Sequence, residues 1–395
     1  MLFNSHAFAI FILIAFLAYV AIPTWTLKKL SLLLVSYLFY AAWHPEYLLL
    51  LIGIAVVDYG LSHLVATSRS PLRRRTILAV CVILNLTILC FFKYLAFFIH
   101  CIDGLAGTDL KNTLAIPDWP LPLGISFYTF ETISYVVDVY RGKTKPARSF
   151  LDYAMFLAFF PHLVAGPIVR AYDFLPQCET PRSLSRRQIG WGLGLLILGL
   201  FQKTFLADHL LSPLVDRVFE STSRATAPDV IFSTLAFSAQ IYFDFSGYSL
   251  CGLGLASCFG FVLTDNFRSP YAAIGIADFW HRWHISLSTW LRDYLYISLG
   301  GSRGTSLATY RNLLVCCSGG CGMEHPLYSS SGALLTGSSC ASSDSSAAHS
   351  IVSNASIPYG NLHCGWQLSG ARRSHSCHWH GFLSERGRST MRSLC

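Results

Sequence analysis

The chain has 395 residues, of which 53% are hydrophobic and only 13% charged, and its net charge is +8. Soluble proteins are about 25% charged, so this composition excludes an ordinary soluble domain. No Lys/Arg stripe interleaved with aromatic residues is present. The positive charge is therefore better explained by cytoplasmic loops beside anionic lipid than by nucleic acid. We expect a protein in contact with membrane lipid and no nucleic-acid partner.

Apolar runs recur along the first two thirds of the chain. They lie at 7–22, 30–43, 47–66, 77–99, 151–166, 188–207, 228–243 and 247–263. Crossing a membrane takes roughly 20 residues, so several runs are long enough and others are short or tilted. The first run lacks a basic flank and a small-x-small cleavage site, which indicates a membrane helix rather than a removed signal. The pattern predicts an all-α, polytopic membrane protein.

Basic residues predict the orientation of these helices. Lys28 and Lys29 follow the first run, and four arginines follow the third, within 69–75. Since basic loops stay in the cytoplasm, the N-terminus is expected outside. Segment 102–120 is then expected to be a loop on the outer side.

Three polar segments with Gly or Pro interrupt the apolar pattern, at 123–130, 160–167 and 278–301. Irregular backbone at membrane depth is tolerated only beside protein or a water-filled cavity. The segments therefore predict re-entrant helices around a central chamber. The alternative is that they are short amphipathic helices on the membrane surface.

Segment 278–293 concentrates two histidines, two arginines, two aspartates and three tryptophans. Ionisable groups are costly in a membrane, so this cluster is a candidate functional site. His281 and His284 are three residues apart and would share one face of a helix. No third ligand is suitably spaced, so we predict no metal. Instead, one histidine would serve as a base or binding group, since imidazole titrates near neutral pH.

A second polar patch lies at 240–248, where Asp244 and Ser246 precede Gly247 between two apolar runs. The patch is either a helix end capped by Asp or Ser, or a place of contact with substrate. No Gly-x-Ser-x-Gly, Walker or dinucleotide-binding motif is present. These absences leave hydrolase and nucleotide-binding functions without support.

A family resemblance extends over about residues 1–314, and ten short stretches carry it. They are Gly124–Phe130, Ser134–Tyr135, Asp138–Gly142, Leu163–Arg170, Gln202–Lys203, Leu206–Asp208, Gln240–Tyr248, Asn266–Tyr271, Asp278–Gly301 and Tyr310–Leu314. In this order they resemble the membrane-bound O-acyltransferase family, in its bacterial polysaccharide O-acetyltransferase branch.

The resemblance implies a function and a location. A multi-pass protein of the bacterial inner membrane would move an acetyl group to hydroxyls of an exported, alginate-like polysaccharide. The donor would be acetyl-CoA or a similar acyl donor on the cytoplasmic side, with no bound cofactor. Periplasmic acetylation proteins would be partners. His284 matches the first of the family's two signature histidines. Other residues are expected to shape the chamber or contact substrate: Asp278, Arg282, Trp283, Tyr242 and Asp244.

The family's second signature histidine, regarded as the essential base, is absent. From about Val315 the chain becomes rich in Ser, Cys and His. Reading the codons for Cys321–Pro326 one frame over permits Trp-His-Gly-Ala-Ser, which resembles the family's second motif. The same shift over Ser331–Gly337 permits Trp-Gly-Ala-x-His-Gly. We infer that residues 315–395 follow a frameshift and that the chain, as written, is inactive.

These observations divide the chain into an incomplete acyltransferase domain, 1–314, and a tail, 315–395. The tail has possible zinc ligands, namely Cys364, His375, Cys377, His378 and His380. Its composition buries little, so we expect disorder instead. Two alternatives to the main hypothesis remain. One is a polytopic transporter, although no inverted repeat is evident. The other is an acyltransferase for a teichoic-acid-like polymer, a lipid or a protein.

The frameshift hypothesis is tested by resequencing the locus. We expect a single-base insertion or deletion near codon 315, after which the frame encodes Trp-His-Gly-Ala-Ser. An uninterrupted frame encoding Cys316–Cys395, with no similar protein continuing as Trp-His-Gly-Ala-Ser, would contradict the hypothesis.

Overall fold

A computed structural model describes residues 3–107, 120–163, 166–220 and 225–318. All regular structure within these ranges is helical, which confirms the predicted all-α class. Residues 319–395 lie outside the described residues. The expectation of a disordered tail and the possible zinc ligands fall in this part of the chain. The described residues all belong to one compact unit, Met1–Gly332.

The first quarter of the chain forms four helices. They are α1 (His6–Ala21), α2 (Trp25–Ala41), α3 (Pro45–Thr67) and α4 (Pro71–Ala106). Ser5 begins α1 because its hydroxyl accepts a hydrogen bond from the Phe8 amide, at 3.2 Å. α3 and α4 start with proline, whose missing N–H is unneeded there. α4 continues through Ala106, so residues 102–106 of the expected outer loop are helical, and residues 108–119 lie outside the described residues.

Shorter helices follow in the middle of the chain. They are α5 (Ile125–Tyr140), α6 (Phe150–Ala158), α7 (Phe160–Leu163) and α8 (Ala171–Glu179). α5 begins after Gly124, whose φ of 70° lies in the left-handed region that glycine tolerates. With 16 residues, α5 is shorter than the roughly 20 needed to span a bilayer.

A long continuous helix contains an unusual central segment. It comprises α9 (Arg186–Leu200), a π-helix (Phe201–Leu211) and α10 (Ser212–Glu220). π-Helices are rare, usually a single turn long, and frequent at functional sites. The segment contains Lys203, the only lysine between residues 146 and 395. This local geometry was not evident from the sequence.

Helix α11 (Ala227–Cys258) joins the apolar runs at 228–243 and 247–263. Of the two interpretations of the patch at 240–248, the helix end capped by Asp or Ser is therefore wrong, and contact with substrate stays a prediction. Gly247 lies inside α11 because it packs against the backbone of the preceding helix. A Cβ atom at Gly247 would lie 2.8 Å from the carbonyl oxygen of Gly199 and 2.8 Å from the amide nitrogen of Lys203. Gly192 and Gly254 form a similar contact two turns away.

The end of the described chain is made of short pieces. They are a 3₁₀ turn (Pro270–Ala272), α12 (Ile276–Arg282), α13 (Ile285–Trp290), a second π-helix (Leu291–Tyr296) and α14 (306–318). The candidate segment 278–293 therefore spans two helices and the start of a third, rather than one. This break decides where its histidines point.

Among the described residues, three helices are long and apolar enough to cross a membrane: α3, α4 and the continuous helix over Arg186–Phe219. Large apolar side chains on their outer faces stay exposed, among them Leu49, Ile83 and Ile197. Exposed apolar surface of this extent is typical of a protein that contacts lipid. The structure thus supports a membrane protein.

Aromatic rings form much of the interior between α1, α2, α6, α7 and α11. Phe159, Phe174 and Phe261 are fully buried and lie with ring centroids 5.0–5.6 Å apart. Tyr19 joins the N-terminal helix to this core, since its hydroxyl donates to the Phe259 carbonyl oxygen at 3.0 Å. The core holds α11 against the first helices.

Replacing Gly247 by alanine tests the close approach of α9 and α11. We expect a loss of about 1–3 kcal/mol in the free energy of unfolding, because the new methyl group overpacks a backbone contact. Gly190→Ala is the matched control, since a Cβ there meets nothing within 4 Å. Thermal unfolding in detergent measures both. Equal midpoints for the two variants would contradict the proposed contact.

Candidate active site around His284

His284 occupies the break between α12 and α13. Its backbone is left-handed, with φ 41° and ψ 55°. For a residue other than glycine this conformation costs about 1–2 kcal/mol. It persists only where the surrounding structure holds it, and such strain is common at functional sites. The side chain is 1% exposed, so the break directs the imidazole into the protein.

Aromatic rings from α11 and the following loop enclose this imidazole. The ring of Phe245 meets it edge-on at 4.7 Å between centroids, and Phe267 stacks on it at 6.5 Å. Phe245 and Phe267 also contact each other, at 5.1 Å. An imidazole in such a pocket has few orientations available, which suits a group that must meet substrate in a set geometry.

Asn266 holds the residues that follow His284. Its carbonyl oxygen accepts from the Ile285 amide at 2.9 Å. Its side-chain Oδ1 accepts from the Ser286 hydroxyl at 2.9 Å and from the Ser286 amide at 3.4 Å. The Nδ2 group donates to the Ser249 hydroxyl on α11 at 3.3 Å. The family motif included Asn266, but the sequence did not reveal this role.

His281 does not share a face with His284, so that prediction is wrong. His281 lies in the last turn of α12 and is exposed, whereas His284 is buried beyond the helix end. The i, i+3 rule applies only within a continuous helix, and α12 ends at Arg282. Within the described ranges no three His, Cys, Asp or Glu side chains are grouped to hold a metal ion.

Asp278 and Arg282 form a partly exposed ion pair on α12, with Nε and Oδ1 2.8 Å apart. The other carboxylate oxygen accepts from the Ile274 amide, at 3.1 Å. The hydrogen bonds from Arg282 and Ile274 hold the pKa of Asp278 below its usual value. In this structure the pair stabilises the start of α12, beside the His284 pocket rather than inside it.

Trp283 and Tyr242 do come together. Their ring centroids lie 6.2 Å apart, and Trp283 packs edge-on against Phe267 at 5.1 Å. Trp283 is buried and Tyr242 half-buried. Because Phe267 also contacts His284, the two predicted aromatic residues form an outer layer of the same pocket.

Asp244 is neither a cap nor an isolated acid. It lies inside α11, where its Oδ1 is 2.5 Å from the ammonium nitrogen of Lys203. Lys203 also bonds Asp208, at 2.7 Å, and is itself buried. Asp244 therefore takes part in a three-residue ion cluster between the π-helix and α11. The signal for this cluster in the sequence is a lysine inside an apolar span, because a buried ammonium group needs a partner.

Glu131 on α5 and His162 on α7 form a further buried pair. The Glu131 carboxylate accepts from the Val169 amide at 2.9 Å and lies 3.5 Å from His162 Nε2. Burial raises the pKa of Glu131. The neighbouring Ile168 amide donates to the Ser286 hydroxyl at 3.0 Å. His162 lies in the interrupted segment 160–167. It is fully buried and belongs to a network that reaches α13.

A cavity of about 660 Å³ opens between segments 181–195 and 250–265. None of the six predicted site residues lines it. Its wall includes Arg182, Trp191 and Asp265, the last of which precedes Asn266. The predicted site residues therefore do not form this cavity.

These features define a helical membrane protein with a buried histidine at a strained break. Residues 146–316 match the model of the membrane-bound O-acyltransferase family. A protein named as a probable alginate O-acetylase from Azotobacter vinelandii is 41% identical, over 80% of this chain and 63% of its own length. A second protein named as a probable alginate O-acetylase, from Pseudomonas syringae pv. tomato, is 42% identical over 80% of this chain and 60% of its own length. The chain belongs to the membrane-bound O-acyltransferase family.

A peptidoglycan O-acetyltransferase of Helicobacter pylori is 35% identical, over 80% of this chain and 65% of its own length. The chain thus spans 60–65% of the length of these three relatives. The terms O-acetylase and O-acetyltransferase in these names describe the relatives.

Replacing Lys203 by methionine tests the ion cluster. Two carboxylates would lose their shared cation in a buried site, so we expect a loss of about 3–5 kcal/mol in stability. Lys143→Met is the matched control: its ammonium is half exposed and 4.0 Å from Asp138, so about 0–1 kcal/mol is expected. Thermal unfolding measures both. The triple variant K203M/D208N/D244N should recover much of the loss, and failure to recover it would count against a charge effect.

Proposed function

We propose that this chain is a membrane O-acetyltransferase that acts on an exported polysaccharide, with an alginate-like polymer as the first candidate. The observation that carries the proposal is His284. It matches the family's first signature histidine and is buried at a strained helix break, inside an aromatic pocket. Relatives named as O-acetylases and as an O-acetyltransferase support the reaction type.

The reaction joins an acceptor hydroxyl to an acyl group carried as a thioester. The hydroxyl oxygen attacks the carbonyl carbon, the new C–O bond forms, and the C–S bond breaks. A base takes the hydroxyl proton, and the departing thiolate receives a proton in turn. We assign acetyl-CoA or a similar thioester on the cytoplasmic side as donor, with no resident cofactor.

His284 orients the donor or the acceptor in this scheme. Its enclosure by Phe245 and Phe267 limits the directions in which the imidazole can present a nitrogen. Trp283 and Tyr242 shape the outer layer of the pocket. Asp278 and Arg282 stabilise the helix that precedes the break, and Asp244 contributes through Lys203. This assignment keeps all six predicted residues but separates those at the pocket from those that support it.

The base itself is missing from the chain as written. The family's second histidine has no counterpart before residue 315, and the shifted frame after that point permits Trp-His-Gly-Ala-Ser. Loss of a general base costs a factor of about 10²–10⁴ in rate. We therefore propose that the 395-residue chain is inactive and that an active form contains the frame-restored segment.

The proposed location is the bacterial inner membrane, crossed several times. Three helices long and apolar enough to cross support a membrane location. The acceptor would lie outside, and periplasmic proteins would complete its acetylation. Family membership argues against the transporter hypothesis. The H. pylori relative favours peptidoglycan as a second candidate acceptor.

A transfer assay with labelled acetyl donor tests the proposal. We compare the 395-residue protein with a frame-restored version, in membranes that contain the polymer. The restored protein should acetylate the polymer, and the 395-residue form should fall to about 10⁻² of that rate or less. Robust transfer by the 395-residue form would overturn the proposed inactivity. No transfer to alginate but transfer to peptidoglycan would move the assignment to the second acceptor.

His284→Ala and His281→Ala form a matched pair in the restored protein. His284→Ala should lower kcat by about 10²-fold or more, because the buried imidazole meets the reacting groups. His281→Ala should stay within about twofold, since a surface side chain away from such features has little effect. Equal activity of the two variants would contradict the role assigned to His284.

A further inference from the structure

The backbone of His284 needs an external support. A left-handed residue that is not glycine relaxes unless its neighbours are fixed. The residue before it, Trp283, closes α12 through a bond from its amide to the Phe279 carbonyl oxygen at 2.9 Å. The residues after it, Ile285 and Ser286, begin α13, which continues directly into the second π-helix. The amides in the first turn of a helix have no acceptor inside the helix, so they need partners from outside it.

Asn266 supplies the support on that second side. It bonds both residues that follow His284, one through its main chain and the other through its side chain. The same side chain reaches back to Ser249 on α11. Asn266 is 2% exposed, so these bonds do not compete with water, and an unpaired partner there would be costly.

The anchor also joins the other elements around the pocket. Ser286, held by Asn266, accepts from the Ile168 amide, in the segment that contacts Glu131. Phe267, the next residue after Asn266, stacks on the imidazole. One short loop therefore fixes both the backbone and the ring environment of His284.

We propose that Asn266 is the positioning residue for His284: it holds the imidazole in the pocket by fixing Ile285 and Ser286 to α11. The inference rests on the proposed function, in which His284 meets substrate. An amide suits the position because it offers an acceptor to Ser286 and a donor to Ser249 at once. An aspartate keeps the acceptor toward Ser286, whereas an alanine keeps neither side-chain group.

The test measures access to individual histidines in the purified 395-residue protein in detergent. Diethyl pyrocarbonate modifies accessible imidazoles, and mass spectrometry of peptides reports each rate. In the unaltered protein His281 should react fast, and the buried His162 and His284 slowly. Asn266→Ala should raise the rate at His284 by roughly tenfold, the factor that follows from losing one buried hydrogen bond. The rate at His162 should stay unchanged.

Two further variants separate positioning from general loosening. Asn85→Ala removes another buried asparagine, one that bonds Asp58 on α3, and should leave His284 protected. Asn266→Asp should restore most of the protection. The proposal is overturned if His284 stays protected in Asn266→Ala, if His162 reacts faster in parallel, or if Asn85→Ala exposes His284 equally.

Ser286→Ala covers the case in which Asn266→Ala does not fold. It removes one of the bonds to Oδ1 and the bond from Ile168, so a smaller rise at His284 is expected, and no rise overturns the proposal. The labelling needs no acetyl transfer. Selective exposure of His284, together with full activity of His284→Ala in the restored protein, would leave the positioning intact and reject the proposed function.

Discussion

The backbone contact between α9 and α11 is the interaction on which the rest of the site depends. Glycines at 192, 199, 247 and 254 let the two helices approach until main-chain atoms touch. This approach brings Lys203 within reach of Asp244, and it fixes the face of α11 that carries Phe245 and Ser249. A larger side chain in the contact would move the wall against which His284 packs.

Several charges buried in this framework are partnered, as low-dielectric surroundings require. Lys203 lies between Asp208 and Asp244, Lys29 bonds Asp152, and Glu131 faces His162 and the Val169 amide. Each group joins elements that are distant in sequence. These pairs therefore link separate elements of the fold as well as compensating the buried charges.

The pocket depends on a break in a helix. A continuous helix through 278–293 would place His281 and His284 together at its surface. Instead α12 ends at Arg282, His284 takes a left-handed conformation, and only one of the two histidines is buried. The ring environment then comes from Phe245 and Phe267, which precede His284 by 39 and 17 residues.

The sequence by itself determined the helical class, the membrane character and the family, because these follow from composition, apolar run length and ordered motifs. It also singled out segment 278–293, since an ionisable cluster among apolar runs is costly, and the family resemblance pointed to His284 within it. Only the tertiary structure decided that α11 is one helix, that Asp244 pairs with Lys203 and that Asn266 holds the break. The physical reason is that each depends on contacts between distant segments. The periodicity of a single segment does not show which distant backbone will pack against a glycine. Nor does it show which distant side chain will pair with a buried charge.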